Sequence, residues 1–248
     1  MSQNVPAVKG AVAALGNVGL AATSMERLIN APSHLPRIGV FYGRAGLGKT
    51  SAACFLMNRY NAYRIECKSV WTRKTVFVEI LKLMGIPPAA TMPEMLDQVC
   101  AQLQLSRRPL IIDEMDHVVA KKSVEVIRDI YDGSQCALML IGEENLPTAL
   151  EKWERVHSRV LDWTPAQALD LYDAETLADF YCQRVTVEHD LLTHIHGQSG
   201  GSARRICTNL ELVQEEALKL GLSSIDLTTW GNRPLYTGAA PVRDRRSK

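Results

Sequence analysis

The stretch Gly43-Arg44-Ala45-Gly46-Leu47-Gly48-Lys49-Thr50 constrains this chain more than any other. It satisfies G-x-x-x-x-G-K-[ST] in full. The residues before it, Ile38-Gly-Val-Phe-Tyr42, read as an apolar strand, and those after it (SAACFLMNRY) are rich in helix formers. Strand, loop and helix form the setting in which this motif has a chemistry. Glycines let successive backbone N–H groups face phosphates, the helix N-terminus favours the anion, and a lysine reaches the β- and γ-phosphates. Lys49 takes that role, and Thr50 is the hydroxyl expected on Mg²⁺. The expected ATP-binding set is therefore Gly43, Arg44, Ala45, Gly46, Leu47, Gly48, Lys49, Thr50 and Ser51.

Further along, Ala62 to Cys67 reads as a second strand, Val76 to Met84 and Pro93 to Leu105 as helices, and Leu110-Ile-Ile112 as a strand buried on both faces. That third strand leads straight into Asp113-Glu114. A carboxylate carried to the C-terminal end of an apolar strand lies where ligands gather in open α/β sheets, so Asp113 is placed to hold Mg²⁺ through water. Glu114 follows as the group that polarises the attacking water. Val124 to Tyr131 reads as another helix, Cys136 to Ile141 as a fourth strand and Arg159 to Trp163 as a fifth. The alternation predicts an α/β fold, a parallel five-stranded sheet flanked by helices. One strand intervenes between the two motif strands, which separates the chain from kinases and small GTPases. Beyond Pro165 only helices are expected: Asp173 to Val185, Glu188 to His196, and Ser202 to Leu220 with Gly221 as its cap.

With 248 residues, 46% of them hydrophobic and 22% charged, a disordered tail protein or a fibrous repeat is excluded. The six cysteines show no C-x-x-C and no metal-ligand spacing, and read as reduced, buried thiols of a cytoplasmic protein. No run approaches the roughly 18 apolar residues of a membrane helix, and the N-terminus lacks the layout of an export signal, so no membrane partner is expected. His189, His194 and His196 lack a matching Cys or carboxylate cluster and read as packing or surface residues, and Trp153 and Trp163 as core or interface anchors.

These residues resemble the P-loop AAA+ ATPases. Glu154-Arg155-Val-His-Ser-Arg159 looks like that family's segment ending in an arginine finger, which implies that Arg159 reaches a neighbouring subunit's nucleotide with Arg155 as its companion. Gly201-Ser-Ala-Arg204 looks like the second sensor at the start of a lid helix, which gives Arg204 a γ-phosphate contact. The first sensor is either Glu143 or Asn145, in the run Ile141-Gly-Glu-Glu-Asn145. The resemblance covers about residues 25 to 222 and implies an α/β nucleotide-binding subdomain (25–164) and a small all-helical lid (165–222); by composition, residues 1–24, rich in Ala, Gly and Val, read as an N-terminal arm or a weak helix, and 223–248 as a basic tail that frays from Gly231. Within the family, Asp113-Glu-Met-Asp116-His, Arg128-Asp-Ile and the Ser-Arg pair are most similar to the B protein of Mu-type phages and its transposon relatives. That likeness implies a homo-oligomeric filament or ring on double-stranded DNA, without base specificity, that selects target DNA and activates a transposase in DNA transposition. A replication initiator or helicase loader is the alternative client, and a nucleotide-switched protein-interaction module without DNA binding the alternative class. Mu-type B proteins carry a helix-turn-helix domain ahead of the ATPase, whereas 42 residues precede Gly43 here. DNA contacts are therefore expected from the ATPase body and tail.

The net charge of +1 hides local contrasts. Residues 64 to 82 carry five basic and two acidic side chains, and the segment from Gly231 carries five basic residues against Asp244. Lys68, Trp71, Thr72, Arg73 and Lys74 follow the second strand, a position that faces the central channel in DNA-binding relatives of this family; a cationic loop with one aromatic suits backbone tracking. Lys121-Lys122, just after the Asp-Glu pair, is the second candidate DNA contact.

Overall fold

The computed structural model describes residues 13–239. Residues 1–12 of the expected arm and 240–248 of the expected tail lie outside the described residues. The chain divides into two compact units at Gln167/Ala168, with Ala13–Leu15 counted in the second.

The first unit runs α1 (Gly16–Ile29), β1 (Ile38–Tyr42), α2 (Lys49–Arg59), β2 (Tyr63–Glu66), α3 (Arg73–Met84), α4 (Met92–Ser106), β3 (Leu110–Asp113), α5 (Met115–Ala120), α6 (Glu125–Ser134), β4 (Leu138–Gly142), α7 (Leu146–Glu151), α8 (Glu154–His157) and β5 (Val160–Pro165). All five strands are parallel, in the order β2-β3-β4-β1-β5. The two motif strands are thus separated in space by β4 and in sequence by β2. The central strands are continuous apolar runs because helices cover both faces: β3 and β4 are buried throughout, and β1 at four of its five residues. Their C-terminal ends, Tyr42, Asp113 and Gly142, open on one rim of the sheet, which fixes where a ligand can gather.

Several expectations change on this frame. Of the segment read as an arm or a weak helix, residues 16–24 belong to helix α1, which continues to Ile29 and packs on α2, β1 and β5. Gly39 makes room for it: a Cβ there would lie 2.8 Å from Leu28 Cδ1. Ser24 Oγ (2.6 Å) and Arg27 Nη1 (2.7 Å) then bond the Asp162 carboxylate on β5. The low charge of residues 13–24 belongs to a packed face. Helix α3 begins at Arg73, three residues before the predicted start, because Thr72 caps it by accepting from the Thr75 N–H. Helix α4 opens on a capping box of Thr91 and Glu94.

The second unit contains α9 (Leu171–Tyr181), β6 (Thr186–Val187), α10 (His189–Ser199), α11 (Ala203–Lys219), β7 (Ser224–Ile225) and α12 (Leu227–Trp230). The helices-only expectation is corrected here: β6 and β7 form a short parallel pair, and α9 stops at Tyr181 where the β-branched Val185-Thr-Val segment turns extended. The expected fraying from Gly231 is corrected as far as residue 239. Asn209, buried in α11, accepts from the Tyr236 N–H (2.7 Å) and donates to its carbonyl (3.0 Å), and Arg233 pairs with Glu216 at 3.3 Å. Among the described residues, no helix is long and apolar enough to cross a membrane.

Candidate nucleotide site

The loop between β1 and α2 has the backbone its glycines allow. Gly46 (φ 85°) and Gly48 (φ 84°) are left-handed, a region that side chains disfavour. No side chain caps α2, so its first turn can offer N–H groups to an anion. Lys49 is only 9% exposed, and its ammonium donates to the Gly43 (2.5 Å) and Arg44 (2.9 Å) carbonyls and lies 3.3 Å from Glu143 Oε1. Leu47 is buried, while Ala45, Thr50 and Ser51 are exposed. Arg44 makes an exposed pair with Glu144 at 3.3 Å, an arrangement that contributes little.

The loop is held from below by a residue that sequence reasoning passed over. Asn17 of α1 is 3% exposed; its amide donates to the Leu47 carbonyl (2.9 Å) and the Gln167 carbonyl (2.8 Å), and its Oδ1 accepts from the Gln167 N–H (2.8 Å). Nothing in its Ala/Gly-rich surroundings signals this role.

Asp113 ends β3 and is 2% exposed. Its Oδ1 accepts from the Glu114 N–H (3.0 Å) and its Oδ2 from Arg64 Nη2 (2.7 Å). Arg64 entered the sequence reading only as one charge in a basic run; here it is a partly buried partner of Asp113. Burial opposes its charge, but the hydrogen bond and charge of Asp113 outweigh it and raise its pKa. Glu114 adopts φ +56°, an uncommon conformation for a non-glycine residue, and caps α5. Burial, then the neighbouring charges of Asp113 and Glu143, raise its pKa above the usual carboxylate value. Burial pushes the nearby Cys67 thiol up to about 12, so it stays protonated.

Just past the end of β4, the Glu143 N–H donates to Asp116 Oδ2 (2.8 Å), which fixes the backbone of the residue whose carboxylate meets Lys49. Gly142 permits that contact, because a Cβ would sit 2.3 Å from Asp116 Oδ2. Of the two first-sensor candidates, Glu143 meets Lys49, whereas Asn145 is exposed at the start of α7 and makes no side-chain cap.

Arg159 does not extend freely: its guanidinium grips Asp132 through two bonds (2.6 and 2.9 Å) and donates to the Arg155 carbonyl (2.5 Å). Arg155 is the exposed member of the pair. Arg204 is exposed on the first turn of α11, in the second unit.

The two basic segments meet. Arg73 Nη2 donates to the Lys122 carbonyl (3.0 Å), and Lys68, Trp71, Thr72, His117 and Lys121 line one small cleft. Lys68, Arg73, Lys121 and Lys122 are exposed around it. Trp71 packs partly against the core, Lys74 donates to the Ala90 carbonyl (3.1 Å), and the Thr72 hydroxyl is spent on the α3 cap. Of the expected DNA contacts, Trp71 is half-buried and Thr72 is exposed at the start of α3.

The donors present suit a nucleotide and Mg²⁺: left-handed glycines around a lysine, an uncapped helix start, and hard oxygen ligands in the Thr50 hydroxyl and the Asp113 carboxylate. Among the described residues no cluster of three or more His, Cys, Asp or Glu side chains forms another metal site.

Residues 33–150 match the family model described as an AAA domain. The structure is similar to the Aeropyrum pernix ORC2 protein in its ADP form (TM-score 0.65, 19% identity, covering 84% of this chain and 64% of that one). It is also similar to the Thermotoga maritima RuvB Holliday junction branch migration motor (0.61, 15%, 87% and 67%) and to the Aeropyrum pernix ORC1 protein in complex with DNA (0.61, 18%, 88% and 64%). The chain thus spans under two thirds of the ORC2 and ORC1 chains. No curated protein sequence matches it. Residues 33–150 thus match the model of an AAA domain, and the α/β architecture that carries them, a parallel five-stranded sheet flanked by helices, is the fold of these P-loop AAA+ structures.

Proposed function

We propose that the chain is an ATP hydrolase that oligomerises on duplex DNA in its ATP state and acts as a target-selecting, transposase-activating factor in DNA transposition. The observation that carries the nucleotide reading is the phosphate loop, with Gly46 and Gly48 left-handed, α2 uncapped and Lys49 buried at its centre. Lys49 exchanges the Gly43 and Arg44 carbonyls and Glu143 for the phosphates. Thr50 and Asp113 hold Mg²⁺, which when bound neutralises charge building on the phosphates. Glu114 orients the attacking water and takes its proton, its backbone set by α5 on one side and β3 on the other. Glu143, anchored through Asp116, reports on the occupancy of Lys49. Arg204 serves the lid; Arg159 serves a neighbouring subunit after leaving Asp132, with exposed Arg155 beside it.

The rim of Lys68, Arg73, Lys121 and Lys122 supports a DNA-backbone surface, and so does the likeness to the ORC1 protein solved with DNA. The likeness to ORC2 supports a second reading, a replication initiator or helicase loader. DNA affinity of wild type and Lys49→Ala, measured by anisotropy on a non-specific duplex with and without ATPγS over a salt series, tests the core of the proposal. Expected is an ATPγS-dependent, salt-sensitive affinity that Lys49→Ala loses; equal affinity with and without nucleotide refutes it. Stimulation of strand transfer by a co-purified transposase separates the first client from the second.

A further inference from the structure

Strand β2 alternates: Tyr63 and Ile65 are buried in the core, while Arg64 and Glu66 lie on the other face. In the parallel register with β3, Arg64 stands beside Ile111 and Glu66 beside Asp113. The Arg64 side chain therefore runs forward along its strand and delivers Nη2 to Asp113 Oδ2 at 2.7 Å and to Glu66 Oε2 at 3.0 Å. It is 14% exposed, and its Nε is buried without a partner. Both Asp113 oxygens thus accept a hydrogen bond, one from a cation.

A cation held against a carboxylate lowers the attraction of that carboxylate for a second cation, and the effect is strong where water is scarce. Glu66 offers the same guanidinium a second holder: its side chain is 54% exposed, on the edge strand of the sheet, and it already accepts from Arg64 Nη2 at 3.0 Å. Arg64 has one partner inside the site and one at its margin.

We propose that Arg64 is a positioning residue that competes with the divalent cation for Asp113 and sets the metal affinity of the site, with Glu66 as the holder that receives Arg64 when Asp113 is taken. This rests on the reading of Asp113 as a ligand in an ATP site. The competition makes metal binding conditional on the movement of one side chain on β2, a residue outside both nucleotide motifs.

Mn²⁺ binding, followed by electron paramagnetic resonance of the free ion in the presence of ATPγS, tests the assignment on the full chain. Arg64→Met keeps the volume and removes the charge, and is expected to bind Mn²⁺ about ten-fold more tightly. Arg64→Lys keeps the charge and stays within about three-fold of wild type, and Asp113→Asn added to Arg64→Met cancels the gain. Glu66→Gln alters only an exposed side chain, folds irrespective of the core, and is expected to weaken Mn²⁺ binding about three-fold by leaving Arg64 to Asp113 alone. Unchanged or weaker Mn²⁺ binding in Arg64→Met, or unchanged binding in Glu66→Gln, overturns the proposal while wild-type ATPγS binding leaves the ATP-site reading standing. Failure of wild type to bind ATPγS overturns both.

Discussion

Asn17 ties a helix that precedes the first strand to the phosphate loop, and replacing it with Ala should be costly for a side chain with no charge. Its buried amide makes three hydrogen bonds of 2.8 to 2.9 Å, to the Leu47 carbonyl and to both backbone groups of Gln167. Truncation leaves those three backbone groups without their partner. At about 1 kcal/mol net for each bond, the loss is about 3 kcal/mol. For a urea dependence of about 2 kcal/mol per molar, the midpoint of unfolding falls by about 1.5 M. The assay is equilibrium urea denaturation followed by far-UV circular dichroism, with binding of a fluorescent ATP analogue on the same samples. Affinity for the analogue should fall with stability, because the Leu47 carbonyl belongs to the loop that receives the phosphates. A midpoint shift below about 0.3 M, well under one hydrogen bond on this scale, would refute the claim that α1 anchors the loop.

Two further outcomes follow from the same contacts. Gly142→Ala places a Cβ against Asp116 Oδ2 and Leu146 Cδ2, at 2.3 and 2.6 Å, so it should cost about 1–3 kcal/mol in thermal or urea denaturation. It should also weaken ATP-analogue binding, by freeing Glu143 from Asp116. Asp162 is the acidic anchor of α1: burial opposes its charge, but Ser24, Thr164 and Arg27 outweigh it and hold its carboxyl below the usual aspartate range. A depressed folded pKa gives stability that is present above the unfolded value and lost as pH falls through the folded one. Asp162→Asn should therefore be less stable than wild type at pH 7, with the gap closing below about pH 3.8 in parallel denaturation series; a gap independent of pH would contradict the ionic anchor.

The readings that carried over were local ones. The spacing of Gly43, Gly48, Lys49 and Thr50 between an apolar run and a run of helix formers predicts strand, loop and helix, and β1, the loop and α2 follow in that order. Apolar runs such as Leu110-Ile-Ile112 and Leu138 to Ile141 can bury both faces only inside a helix-covered parallel sheet, and both lie in its centre. What stayed open has another cause. Residues 16–24 lack charge in the same way whether they form a loose arm or a packed helix, so composition left both readings standing, and packing on the sheet decided between them. Val185-Thr-Val could close a helix or start a strand, and pairing with Ser224-Ile225 decided it.

By itself, the sequence determined that the chain builds a phosphate loop on a parallel sheet and carries Asp113 to the end of a buried strand, because backbone angles and apolar periodicity act over a few residues. The tertiary structure alone decided the partners. Arg64 reaches Asp113 across 49 residues, Lys49 meets Glu143 across 94, Asn17 meets Gln167 across 150, and Arg159 is held by Asp132. Those pairings depend on strand order, with β2 beside β3 and β4 between the two motif strands. A strand's own residues state that it is buried but not which neighbour buries it, so the charges that tune the site became visible only when the sheet was assembled.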